Sequence, residues 1–305
     1  MEQISLLREF TTDLQTRGIS DDSIEQYPVY IRVLYNFVGG NLLEVDEDVL
    51  VEYLAHLRKN KLKHNTIRHY FTVISSFYDF LLFKKYITIN PVTPMFRRHY
   101  LKSFKVHDAE QRRQCLTVRQ AKTLVESILD PRERAVVLLL MKTGMRRKEL
   151  SELNLENVDM ENKTIHIKPT DKRSNEIIYF DLETSIILGK WLKQREKVNK
   201  NKIAAFFLDR FNNRLSPEAI NKIVVKHATT VGLHNPDSDR LEDKLTAHAL
   251  RHFFTTQMLE GGMPREFVQE LRGDSSRSAI DIYYHIDKKK LQKSYLDCVP
   301  QFGLI

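Results

Sequence analysis

The sequence predicts a two-domain, mainly α-helical fold with one small β-sheet, and three observations predict it. Four successive segments within residues 1–91 repeat apolar residues at helical spacing, and two short runs in the second half alternate in the β manner. The 305 residues, 42% of them hydrophobic, suffice to fill two cores.

The elements follow in order. Ile4, Leu7, Phe10 and Leu14 mark a first helix, and Gly18 stands where a left-handed residue stops one. A second begins at the cap-like Ser20-Asp21-Asp22-Ser23 and carries Ile24, Tyr27, Ile31, Leu34 and Phe37 up to Gly39-Gly40. The third, after Asp46, presents Leu50, Tyr53, Leu54 and Leu57; the fourth, from Asn65, presents Ile67, Tyr70, Val73, Ile74, Phe77, Phe80 and Leu81. Asn90-Pro91 then interrupts helical structure, because proline pushes its predecessor out of the α region. Residues 1–91 therefore read as a helical bundle, and residues 92–114, with Arg97, Arg98, His99, Lys102, Lys105, Arg112 and Arg113, as a basic interdomain linker.

Beyond it the pattern is mixed. Thr117 caps a helix through Leu124, and Pro131 opens another that runs through Ala135–Leu140 and ends at Gly144, delivering Arg146 to a turn. The runs at 163–168 and 176–180 read as a β-hairpin across the polar stretch 169–175. Helices are expected over 185–195, 216–230, 246–260 and 264–271, with a turn at 272–276 and a last helix around 279–284. The domain spans 115–287 and a tail of basic then apolar character spans 288–305, including Leu291, Tyr295, Leu296, Val299 and Phe302.

A net charge of +8 favours an acidic polymer as partner. No apolar run approaches the roughly 20 residues that span a bilayer, and MEQISLLREF lacks a basic segment followed by an apolar one, so a soluble, unexported, cytoplasmic protein is expected. Cys115 and Cys298 lie far apart without a CxxC pattern, which argues against a zinc site or a disulfide framework.

The chemistry concentrates in the second half: Arg146 in TGMRRKEL, His248 and Arg251 in HALRH, and Tyr283 in IDIYYHI. Guanidinium forks meet phosphate oxygens better than any other side chain. His248 and Arg251 are three apart on one helix and project to one side, so imidazole and guanidinium can serve the same phosphate. A tyrosine beside such a site points to strand breakage through a covalent phosphotyrosine, which stores the bond and needs no metal, nucleotide or other cofactor.

These residues, in this order, resemble the tyrosine recombinase family of phage integrases, Xer proteins and Cre. The resemblance extends to GISDDSIEQY and HNTIRHYFTVISSFYDFL, which look like that family's DNA-clamping core-binding domain, a SAM-like helical bundle. It implies a C-terminal tyrosine recombinase catalytic domain, double-stranded DNA as substrate, exchange through a Holliday junction, and a homotetramer on paired sites formed from free monomers. It assigns Arg146 and Arg251 to the scissile phosphate, His248 to proton movement or hydrogen bonding there, Glu149 to orienting Arg146, and Tyr283 to nucleophilic attack, with Tyr284 as the alternative. The general acid is Lys172, or Lys168, in a hairpin turn that departs from the common GKGxK form. Lys63, His64, Arg68, Arg97 and Arg98 become candidate DNA contacts.

One slot departs from the family: Leu271-Arg272-Gly273-Asp274 stands where LGH is usual, in a form that resembles archaeal or archaeal-virus members. An ionised carboxylate there repels phosphate, so Asp274 is expected to orient a cation such as Arg272 or to accept from Tyr283. The resemblance also implies a tail that docks either on its own domain or on a neighbouring protomer. Two further functions stay open: a DNA-binding protein of this fold with impaired catalysis, and a relaxing activity like that of type IB topoisomerases.

Overall fold

Gly18, Pro131 and Gly144 punctuate helices as the sequence requires. The structure, a computed structural model, describes residues 2–102, 114–168, 175–200, 202–274 and 286–304. It divides into two units, residues 1–108 and 109–305.

The first unit is built on α1 (Glu2–Thr16), α2 (Asp21–Phe37), α3 (Glu47–Lys59) and α4 (His64–Phe83). Gly18, at φ +70°, takes the left-handed stop after α1. The Asp46 side chain accepts from the Val49 N–H at 2.9 Å and caps α3. Ser20 occupies the equivalent position before α2 without capping it; its hydroxyl pairs with that of Ser23 at 3.0 Å instead. The apolar faces meet in an aromatic core where Phe10 stands edge-on to Phe77 at 5.2 Å, and the buried Tyr78 hydroxyl donates to the Leu42 carbonyl at 2.9 Å.

The expected linker begins too early. Residues 94–101 form a short α5 (Pro94–Phe96), capped by Thr93, followed by a π-helical turn over Arg97–Leu101. Val92, Phe96 and Leu101 are buried in the first unit's core, with Phe96 stacked on Phe71 at 5.3 Å. Apolar residues spaced four and five apart give no standard helical period, which is why the basic residues between them read as a connector.

In the second unit, α6 (Val118–Glu126) opens with the capping box expected at Thr117: its hydroxyl accepts from Gln120 N at 3.2 Å, and its own N–H donates to the Gln120 carboxamide at 3.0 Å. The central helix α7 (Pro131–Thr143) is buried from Ala135 to Thr143 and ends at the left-handed Gly144. After α8 (Arg147–Glu152) come three antiparallel strands, β1 (Val158–Asp159), β2 (Thr164–His166) and β3 (Ile177–Tyr179), in the order β1-β2-β3. Ile165 pairs with Ile178 and both enter the core. The hairpin was expected; two-residue β1 is too short to show a period.

Helices α9 (Leu182–Val198), α10 (Pro217–Thr230), α11 (Ala247–Glu260) and α12 (Arg265–Arg272) follow, α9 and α11 both lying against α7. The helix expected at 279–284 lies outside the described residues. The tail begins as α13 (Lys288–Cys298) and docks on its own unit: Leu291, Tyr295 and Val299 pack with Met258 and Leu271, Phe302 joins the central core, and Leu296 stays exposed.

What fastens this tail is a buried ion network absent from the sequence-based expectation. Lys142 is fully buried, and its ammonium donates to Asp181 and Glu183 at 2.8 Å each and to the Pro300 carbonyl. Glu183 then accepts from the Phe302 N–H at 3.1 Å and the Leu304 N–H at 2.7 Å, and the Phe302 ring lies 4.5 Å from the ammonium. Burial opposes ionisation of Asp181, but Lys142 and the Thr184 hydrogen bonds outweigh it and hold its carboxyl below the ordinary value. Replacing Lys142 with Met leaves two buried carboxylates without their cation, and a loss of about 3–5 kcal/mol is expected from urea unfolding. The lowered Asp181 value sets the sign of the pH dependence. Its contribution is complete above the unfolded-state carboxylate value of about 3.9 and lost as pH falls through the lower folded value, a slope that Lys142→Met removes.

Candidate active site and nucleic-acid interface

Arg146 reaches its place through the stop of α7. Gly144, at φ +62°, turns the chain, and a Cβ there would lie 2.3 Å from the Phe254 ring, so no other residue fits the close approach of α7 and α11. Arg146 is the N-cap of α8, where its N–H donates to Glu149 at 2.7 Å and its Nη1 donates to the same carboxylate at 2.9 Å. Glu149 thus orients Arg146 as expected, by holding both its backbone and its side chain.

His248 and Arg251 lie in the first turns of α11, His248 exposed and Arg251 almost fully buried. The His248 ring stands edge-on to His252 at 4.8 Å. Arg251 is fixed by backbone: Nη1 donates to the Gly144 carbonyl at 2.6 Å and Nη2 to the Arg272 carbonyl at 2.9 Å. Burial, then the neighbouring Arg146 and Arg272, pull its pKa down to about 10, which still leaves it charged at neutral pH.

The two guanidinium groups converge on one atom. Asp274 Oδ1 accepts from Arg146 Nη2 at 3.2 Å and from Arg251 Nη2 at 2.9 Å, while Oδ2 pairs with Arg272 Nε at 2.9 Å. The Arg272 carbonyl is also shared, 3.5 Å from Arg146 Nη1. Asp274 therefore does orient cations, but three rather than the single Arg272 singled out from sequence. Arg272, named from sequence only as a cation for Asp274 to orient, also supplies the carbonyl that both other arginines reach. Its position beside the stop residue Gly273 was the available signal, since a helix that ends there carries its last side chain and carbonyl to the same place.

Lys172, Tyr283 and the alternative Tyr284 lie outside the described residues. Lys168 is exposed just past β2. Among the described residues no group of His, Cys, Asp and Glu has the makings of a metal site, and no helix is long and apolar enough to cross a membrane.

In the first unit the π-helical turn lines a cationic cleft. Arg68, Thr72, Arg97, Arg98, Leu101 and Lys102 surround a volume of about 390 Å³. Phe96 and Leu101 anchor the turn in the core while the arginines between them face the cleft, an arrangement for which the wider π turn is suited. Three of the five expected DNA contacts meet here; His64, half-buried, and exposed Lys63 sit at the start of α4, one turn before Arg68.

The chain and its fold resemble known proteins. The profile of the phage integrase family matches residues 113–290, and that of the phage integrase N-terminal SAM-like domain matches residues 6–88. The tyrosine recombinase XerC of Pelotomaculum thermopropionicum is 29% identical over 274 residues, covering 85% of this chain and 82% of its own. The tyrosine recombinase XerD of Staphylococcus epidermidis is 23% identical over 303 residues, covering 97% and 99%. Among solved structures, the Tn1549 transposon integrase in complex with transposon right end DNA is similar in fold, with a TM-score of 0.69 at 15% identity over 96% of this chain and 98% of that one. The expected fold class, a helical SAM-like domain followed by an integrase catalytic domain, is the observed one.

Gly144→Ala is expected to cost about 2–4 kcal/mol through backbone strain and the Phe254 clash, read as a lowered urea midpoint. Because the same turn carries Arg146, the variant should also lose DNA-strand cleavage under conditions where it remains folded.

Proposed function

The chain belongs to the phage integrase family and is a tyrosine recombinase, and from that premise we propose that it breaks and rejoins double-stranded DNA at specific sites through a 3′-phosphotyrosine. The observation that carries this reading is the convergence of Arg146 and Arg251 on a single oxygen at 3.2 and 2.9 Å. Two fixed donors around one oxygen are what the equatorial oxygens of a pentacoordinate phosphorus require, and they lower the barrier most when they are preorganised.

Tyr283 supplies the nucleophile. Its phenolic oxygen bonds to phosphorus, the bond from phosphorus to the 5′-oxygen breaks, and that oxygen takes a proton from Lys172, or from Lys168. Arg146 and Arg251 hold the non-bridging oxygens. His248, at the positive end of α11, hydrogen-bonds to the phosphate or takes the proton that the Tyr283 hydroxyl loses as it attacks. Attack by the 5′-hydroxyl of a second strand reverses the step with a new partner, so two rounds pass through a Holliday junction on a homotetramer. The reaction uses no metal, nucleotide or other cofactor.

DNA binding is supported by the net charge of +8 and by the cleft of Arg68, Arg97, Arg98 and Lys102. Lys63 and His64 extend this basic face along α4. One observation favours a second reading, a DNA-binding protein with impaired catalysis: Asp274 already occupies the donors that a phosphate needs.

Two experiments test the proposal. Incubation with DNA carrying a bound site in EDTA, stopped with SDS, should trap protein on DNA with the parent and Tyr284→Phe but not with Tyr283→Phe; no adduct with any of them supports the second reading. For the interface, Arg97→Ala and Arg98→Ala should weaken binding across sequences and each reduce the slope of log K against log salt by about 1.

A further inference from the structure

The position of Asp274 carries more than an orienting role. Arg251 Nη2 has two hydrogens, and both are engaged, one by the Arg272 carbonyl at 2.9 Å and one by Asp274 at 2.9 Å. With the carboxylate in place, that nitrogen has nothing left to offer a phosphate. The atom it serves, Asp274 Oδ1, is also the atom Arg146 Nη2 serves, so it stands where a phosphate oxygen shared between the two forks would stand.

We propose that Asp274 is an internal anion that holds the phosphate position between Arg146 and Arg251 and is displaced when a phosphodiester enters. This rests on reading the site as one that binds phosphate. Three features equip Asp274 for it. Its side chain is 35% exposed while that of Arg251 is 6% exposed, so the carboxylate lies at the mouth and the arginine behind it. Its backbone is held separately: Gly273, left-handed at φ +61°, closes α12 with its N–H on Glu270 at 2.8 Å, and Asp274 N donates to Gln269 at 3.2 Å. The side chain can thus swing away without unwinding the helix. Finally, Oδ2 has its own partner in Arg272 Nε at 2.9 Å, outside the shared position, which offers the displaced carboxylate a cation to stay with.

The consequence is selectivity. A tethered carboxylate competes with free anions at high effective concentration, so loose phosphate or other small anions gain little by entering. A phosphodiester within bound duplex is itself held in place by contacts along the backbone, and it competes on equal terms. The ligand this site is built to accept is therefore a phosphodiester presented by DNA, not a free phosphate.

Titration of inorganic phosphate into the full chain at low ionic strength, by calorimetry, tests this directly. Asp274→Asn should bind phosphate about ten-fold more tightly than the parent. Glu149→Gln is the control for charge: it removes one negative charge that touches Arg146 at 2.9 Å from outside the shared position, and it should gain much less. Asp274→Ser, with a cooperative melt as proof of folding, serves if the asparagine variant is unstable. Equal affinity of parent and Asp274 variants overturns the proposal, and so does an equal gain in Glu149→Gln. If phosphate binding fails to change while the Tyr283-dependent adduct still forms, the placeholder is wrong and the recombinase reading stands. If the affinity gain appears and no adduct forms, the placeholder stands without that reading.

Discussion

The last turn of α7 and the residues just after it tie the second unit together. Lys142 faces inward to Asp181, Glu183 and the tail; Thr143 turns its hydroxyl back to the Leu139 carbonyl; Gly144 bends the chain against Phe254; and Arg146 emerges beside Glu149. Arg251 on α11 donates to the Gly144 carbonyl, so the bend that delivers one arginine also anchors the other. The separation of the two guanidinium groups is set by a main-chain atom. Main-chain positions move less than long side chains, which is the condition for electrostatic preorganisation.

Concentrating cations this way is unfavourable unless something balances them. Arg146, Arg251 and Arg272 lie close enough for the first and last to depress the pKa of the middle one, after burial has already done so. Two carboxylates and one helix end offset the repulsion. Glu149 and Asp274 bring full charges, and the Arg272 carbonyl, at the negative end of α12, accepts from both of the other arginines. α11 presents the opposite end, its N-terminus, where His248 sits. The positive start of one helix and the negative stop of another thus frame the same small volume.

Most helices were legible because each buries one stripe and is bounded by residues with a mechanical reason to stop it. Gly18, Asp46, Thr117, Pro131 and Gly144 all act as their chemistry requires. Arg146, His248 and Arg251 stand out for another reason, since their order along the chain resembles a known pattern, and the structure brings Arg146 and Arg251 together on Asp274. What escaped was whatever depends on contacts distant in sequence. Phe96 and Leu101 follow the spacing of a π turn, so their burial was hidden among basic neighbours. Lys142 reads as one more surface cation, because nothing local announces that Asp181 and Glu183 will reach it across 39 and 41 residues. Asp274 was noticed as a departure, yet its three partners come from α8, α11 and α12 and meet only in the folded chain.

The two charge networks of the second unit follow opposite rules. Around Lys142 one buried cation serves two nearly inaccessible acids and a carbonyl, and closing the set fixes the tail. Around Asp274 one acid serves three cations, two of which remain about one-third exposed. A buried ion network that is complete gives stability and register; a partly exposed one with an excess of positive charge retains affinity for another anion. The network at Lys142 is therefore structural and the network at Asp274 is poised for exchange, and α11 packs against both α7 and α12 between them.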